Sequence, residues 1–351
     1  MKQGSKVAAA LLGILAFGTV LAIPGVAESK RTARQTTPKA TVVSTTRAKG
    51  RRSTSTSATP TNGVTKPPTT QASTRGPVVG GCAVFPADNA WNRDVSTAKV
   101  HPMSAAWVAA VNASRSTLHP DVGSNPDYGI PFVVVPPTQP AVAVRYTDYG
   151  DESDPGPFPI PPNAPVEGGG DRHVIVVQEQ TCQLFELFNT RRTSTGWDAS
   201  SGARFDLRSN TLRPATWTSA DAAGLPIFPG LLRVDEVRSG EIRHALRFTV
   251  SRTQNGFIAP ARHQAGRNDA TLPPMGARFR LRSDVNLSGF HGDAVVILRA
   301  LQRYGMLVAD NGSSWFISGA TDPRWNDDDL GQLKRVPGSW FEVVDTGPIE
   351  H

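Results

Sequence analysis

Beyond Leu21 the sequence has no apolar run approaching the ~20 residues that a membrane-spanning helix needs, so no later stretch spans a membrane. Acid is almost missing from the first 79 residues, where 12 Lys and Arg stand against Glu28 alone, a formal +11. The remaining 272 residues carry 25 Lys and Arg against 29 acids, a formal −4, so the pI of about 9.7 belongs to the leading segment. A basic pI would suggest nucleic acid as the target, but a folded part of mildly acidic balance argues against it. Also missing are a Gly-x-Ser-x-Gly elbow, a His-Glu-x-x-His zinc helix, a Walker loop and a dinucleotide fingerprint, and no cofactor is expected.

Lys2 and Lys6 precede an apolar run over 7–21, and Gly25-Val26-Ala27 supplies the small residues of a cleavage site. Residues 1–27 therefore read as a secretory signal, with an uncleaved anchor as the rival, and the protein is expected to be secreted or held at the cell surface. Residues 28–79 are rich in Thr, Ser, Lys, Arg and Pro, with too little apolar surface to fold, and read as a disordered linker or wall-adhering stalk. The globular domain is expected over 80–351, as a monomer. Cys82 and Cys182 both fall within it, and in an oxidising compartment they are expected to pair. Closing a loop of this length contributes on the order of 4 kcal/mol through the entropy of the unfolded chain.

Short β-like runs dominate this domain: 132–135, 142–146, 173–177, 184–188, 231–237, 241–250, 278–282, 306–310, 315–318 and 341–344. Helical spacing is clear only in 104–112 and 293–304, the latter ended by Gly305. The expectation is a mainly β single domain, a β-sandwich or jelly roll with a few appended helices. The alternative is an open α+β sheet, because the helix at 293–304 runs straight into the strand at Met306.

Strand periodicity shows where polar groups point. Over 241–250, alternation leaves His244 on an apolar stripe with Ile242, Leu246, Phe248 and Val250, either as a satisfied core residue or as part of a site. Glu186 shares a face with Leu184 and Phe188 while Phe185 and Leu187 cover the other. A carboxyl in such surroundings either pairs with an arginine (Arg204, Arg243 or Arg247) or keeps its proton to higher pH, as a general acid must. The stretch 204–224 is dense in Asp, Asn, Arg and Trp, with Asp206 and Arg213 in it and Trp217 offering a flat face for a sugar ring. Arg262 and His263 follow in another polar loop, and loops on a rigid sheet are where sites form.

These residues point to an enzyme acting on extracellular polysaccharide or cell-wall glycan. Glu186, Asp206, His244 and His263 are its catalytic candidates, and Arg247, Arg262, Arg213, Trp217 and Asp310 its substrate contacts. Hydrolysis needs two carboxyls, drawn from Glu186, Asp206, Glu236 and Asp310. A lyase for a uronic-acid polymer would use the arginine stripe Arg278, Arg280 and Arg282 with His244, His263 or Tyr304 as base. The competing class is a carbohydrate-binding or wall-associated module without turnover. Two oxygen-rich loops, Asp148 to Asp154 and Asp322 to Asp329, are where a structural calcium ion would bind, though neither has EF-hand spacing.

Phe85-Pro86, Trp91-Asn92, the Asp-Glu-Ser-Asp-Pro-Gly-Pro-Phe-Pro run from Asp151, Asp171-Arg172-His173-Val174, Phe205-Asp206-Leu207-Arg208-Ser209-Asn210 and the Val308 to Gly319 segment resemble a group of secreted microbial proteins. The resemblance covers most of 82–347. It implies a single exported domain and carries no catalytic residue across.

Overall fold

Two adjacent strands whose residues are apolar on both faces must be covered on both sides. Val174–Gln178 and Gln183–Phe188 are such a pair, and they sit in the middle of a four-stranded sheet, ordered Ser201–Asp206, Gln183–Phe188, Val174–Gln178 and Phe132–Val135. The computed structural model describes residues 76–351; the expected signal over 1–27 and most of the expected linker over 28–79 lie outside the described residues. Ile175, Val177, Leu184, Ala203 and Phe205 join one core with Phe248, Phe279, Val308 and Ile317 of a six-stranded sheet. Val174, Val176, Phe185 and Leu187 join a second core with Trp197 and Ala199 of a three-stranded sheet. Period-two side-chain geometry thus makes one sheet serve two cores.

The six-stranded sheet runs Phe341–Val344, Arg278–Leu281, Met306–Asn311, Leu246–Val250, Phe316–Ser318 and His119–Asp121. It is mixed: Leu246–Val250 lies parallel to Met306–Asn311, and Phe316–Ser318 parallel to His119–Asp121. The helix Gly292–Arg303 buries Ala294, Ile297, Leu298 and Leu301 at helical spacing, then stops at Gly305. Gly305 has φ +65°, and a Cβ there would stand 2.4 Å from Phe279 O, so only glycine allows the immediate return into the sheet. The chain is mainly β, with several sheets and few helices in one domain.

Cys82 and Cys182 are bonded, joining the entry of the domain to the hairpin between the two central strands. Val78–Val79 pairs with Cys82–Ala83, so strand pairing includes residues just before the expected start of the domain at 80.

Two expected strands differ. Residues 231–237 are not a strand; Val234–Ser239 is a helix burying Val234 and Val237, with Asp235 and Glu236 in its first turn, and the i, i+3 pair outweighs the β-branched content. The strand expected over 241–250 is only Leu246–Val250, because Ala245 N donates to Trp91 O and leaves the ladder. Ile242 and His244 are buried nonetheless. Of the arginine stripe, Arg278 and Arg280 are buried and Arg282 is exposed.

Candidate active site

In Leu246–Val250, Leu246, Phe248 and Val250 belong to the core, so Arg247 points to the opposite face. There it meets Asp221, from the 217–224 loop, in a two-pronged pair: Nε to Oδ2 at 3.0 Å and Nη2 to Oδ1 at 2.8 Å. Both are buried, and Nη1 donates to Ser318 Oγ. The loop is held by its own bonds, Asp221 N to Ser219 Oγ at 2.9 Å and Ser219 Oγ to Leu225 O at 2.6 Å. Ala223 N bonds Ala309 O at 3.0 Å.

That last bond marks a β-bulge. Phe248 pairs with Val308 but Thr249 pairs with Asp310, leaving Ala309 unmatched. A bulge re-aims the following side chain. Half-buried Asp310 is brought close enough to Asp221 for that carboxylate to act on it. Burial and the Asp221 carboxylate push Asp310 up to about 8, against the pull of Arg247, so it keeps a proton at neutral pH.

A second pair adjoins the first. His173 Nδ1 donates to Glu167 at 2.6 Å and Nε2 to Ala220 O at 3.0 Å. Both partners are acceptors, an arrangement that favours the doubly protonated ring. Burial alone would lower the His173 pKa, but Glu167 reverses this and raises it, while His173 holds Glu167 below its ordinary value. Asp121, register partner of Ser318, is raised by burial and by Glu167. Asp121 and Asp171 are exposed and Glu167 is half-buried, so the cluster has an acidic open rim above a buried floor of Arg247, Asp221, Ser318 and His173.

The sequence candidates distribute around this centre. Arg247 and Asp310 are in it, but Arg247 is occupied by Asp221 and Ser318 rather than free for substrate. Glu186 lies behind it, fully buried, and takes no arginine: its two oxygens accept Phe228 N at 2.8 Å and Ile227 N at 2.9 Å. Burial raises Glu186 to about 7 although the two N–H groups favour the carboxylate. His263 gives Nδ1–H to Ala222 O at 2.7 Å, next to Asp221, with Nε2 3.9 Å from Glu152. Arg213, Trp217 and Arg262 brace the loops: Arg213 bonds Thr218 O at 2.9 Å and pairs with Asp154, its guanidinium lies 5.6 Å from the Trp217 ring centroid, and Arg262 donates to Arg213 O at 3.1 Å.

Two candidates are not brought to the centre. Asp206 pairs with Gln183 while Glu186 pairs with Ala203, so the two acids project from opposite faces of their sheet, and Asp206 bonds exposed Arg208 at 3.0 Å. His244 is a satisfied core residue, with Nδ1 donating to Ala245 O at 2.7 Å and Nε2 accepting from Arg233 at 3.0 Å. Glu236 joins that pair and is held down to about 2; burial opposes this, but the Arg233 guanidinium outweighs it. Asp221, His173, Glu167 and Asp121 are the site residues that sequence reasoning passed over. The one available signal was the Ser219-Ala220-Asp221 turn inside a stretch already marked as unusually polar.

The oxygen-rich loops are engaged internally: Glu152 accepts Thr218 N, Asp154 takes Arg213, Asp327 takes Ser124 and Asn326 caps the helix Asp327–Gly331. Among the described residues no group of three His, Cys, Asp or Glu is arranged to hold a metal ion.

Replacing Glu186 by Gln is expected to cost about 1–3 kcal/mol, because an amide leaves one of the two buried N–H groups facing a donor. The wild-type acid is raised in the fold, so its stabilising contribution is full below about pH 4.5 and is lost as pH rises through about 7. The cost of the substitution should therefore shrink across that window in urea titrations, and a constant cost would show that Glu186 stays ionised.

No family model, curated protein or solved structure matches the chain.

Proposed function

We propose that the chain is an exported enzyme that cleaves extracellular polysaccharide by acid–base chemistry, with Asp310 as the general acid. The observation that carries this reading is the Asp221–Asp310 pair on Arg247, in which half-buried Asp310 is raised to about 8. Such a group can protonate a leaving glycosidic oxygen at neutral pH. Asp221, buried and clamped, positions and tunes Asp310 instead of touching substrate. The second carboxyl comes from the rim, where Asp121 and Asp171 are exposed.

The apolar leader and the Cys82–Cys182 bond support export. Tyr128, 55 % exposed, supports a sugar ligand. A Cβ on Gly168 would stand 3.5 Å from Asp127 Cα, so the loop carrying Tyr128 abuts the rim beside Glu167. Tyrosine at a rim offers the apolar face that sugar rings stack on. The same exposed Tyr128 is what a binding module would present.

The test is a panel of neutral and acidic polysaccharides incubated with the purified secreted chain, following reducing ends and the absorbance of unsaturated uronates. Reducing ends alone are expected of a hydrolase, and both signals together of a lyase. Binding without either signal would establish the module and remove Asp310 from catalysis.

A further inference from the structure

Arg280 and Arg278 share one face of the strand Arg278–Leu281, but only one of them finds an acid. Arg280 lies opposite Glu342 and bonds it at 3.0 Å, whereas Arg278 lies opposite Val344. Arg278 is 2 % exposed and gives Nε to Tyr304 O at 2.7 Å, Nη1 to Ala90 O at 2.6 Å and Nη2 to Arg93 O at 3.0 Å. These are carbonyls, not counter-charges, and two of its five N–H donors stay uncommitted. The nearest acid acting on it, Asp94, is engaged by Arg303 at 2.7 Å. Burial, with Arg93 beside it, pulls Arg278 down to about 9, the mark of a cation without compensation.

Arg278 lines a groove of about 370 Å³ together with Arg93, Asp88, Asn210, Leu212 and Thr346. Asp88 accepts from Asn210 Nδ2 at 3.0 Å. Thr346 Oγ1, two residues past Val344, is buried with no hydrogen-bond partner. A buried guanidinium lacking an acid and a hydroxyl lacking a partner in one groove are both unmet needs that a single oxyanion would satisfy.

We propose that this groove binds an oxyanion, the carboxylate of a uronate or the sulfate ester of an acidic polysaccharide, between Arg278, Arg93 and Thr346. The oxyanion follows from the groove itself; only its placement on a polysaccharide rests on the function proposed above. The planar fork of Arg278 suits either group, and Arg93 adds charge at the mouth.

The experiment is titration calorimetry of the full secreted chain with inorganic sulfate, a galacturonate oligomer, a sulfated oligosaccharide and a neutral oligosaccharide. Saturable binding of sulfate and of one acidic oligomer, without the neutral one, is the expected result, and the tighter oligomer identifies the group. Arg278→Lys, which keeps charge but not the fork, should weaken binding about tenfold. Because Arg278 also ties backbone carbonyls, Thr346→Val is the decisive variant: it should bind about three- to tenfold more weakly with its unfolding midpoint unchanged or raised. Sulfate binding without any acidic oligomer would uphold the oxyanion site and count against the polysaccharide. No saturable binding of any anion, or wild-type affinity in both Thr346→Val and Arg93→Ala, would overturn the proposal.

Discussion

Asp310→Asn is expected to lower kcat by about 10²–10⁴-fold, with KM and folding little changed. The amide keeps the shape and can still accept Asn311 N, which Asp310 does at 2.6 Å, but it has no proton to give a leaving oxygen. The pH profile separates this from a structural effect. In the proposed mechanism Asp310 acts in its protonated form, so wild-type activity should fall as pH rises through about 8, and the residual activity of the variant should lack that limb. Stability runs the same way. An acid raised in the folded state favours the fold below its ordinary value and loses that contribution as pH climbs through about 8, so Asp310→Asn should gain relative stability in alkali. Unchanged kcat, or an alkaline limb that survives in the variant, would take Asp310 out of the mechanism.

Arg247→Met should cost about 3–5 kcal/mol, because it strands the Asp221 carboxylate in a dry interior. Both partners are nearly inaccessible, at 4 % and 1 % exposure, so water does not replace the lost donors. The same change removes the cation that opposes the rise of Asp310, and the alkaline limb of any residual activity should move to still higher pH. Exchanging the pair together, Arg247→Met with Asp221→Leu, should recover much of the stability and none of the activity, since apolar replacements of buried ion pairs are often neutral. Urea unfolding of the four proteins of this cycle measures the coupling. A single-variant cost under about 1 kcal/mol would mean that water reaches the pair.

Much of the architecture is readable without coordinates. Apolar residues on both faces of 184–188 predict a strand covered on two sides, and Gln183–Phe188, beside Val174–Gln178, is that strand. The same alternation predicts a desolvated Glu186, and it is fully buried. The helix into Met306 is legible from its spacing and from Gly305. What alternation cannot show is the partner: Glu186 meets the N–H groups of Ile227 and Phe228, residues about 40 positions away with no polar side chain to announce them.

The site was less legible because its geometry departs from period. Asp310 is aimed by a bulge at Ala309, and a bulge is set by pairing between strands, not by the residues of one strand. Asp221 sits in a turn with no periodicity at all. Asp206 and His244 look like site residues within their segments, yet the register of Ser201–Asp206 against Gln183–Phe188 puts one on the opposite face from Glu186, and Arg233 satisfies the other.

The two-part charge distribution, the β-rich class, the faces of the central strands and the cysteine pair are legible in the chain alone. These follow from composition and from side-chain direction along a strand, which are local. Which charges meet is set on packing. Asp221, Arg247, Asp310 and the Glu167–His173 turn come from four separate segments, and their protonation depends on the water excluded and the charges gathered when those segments pack together.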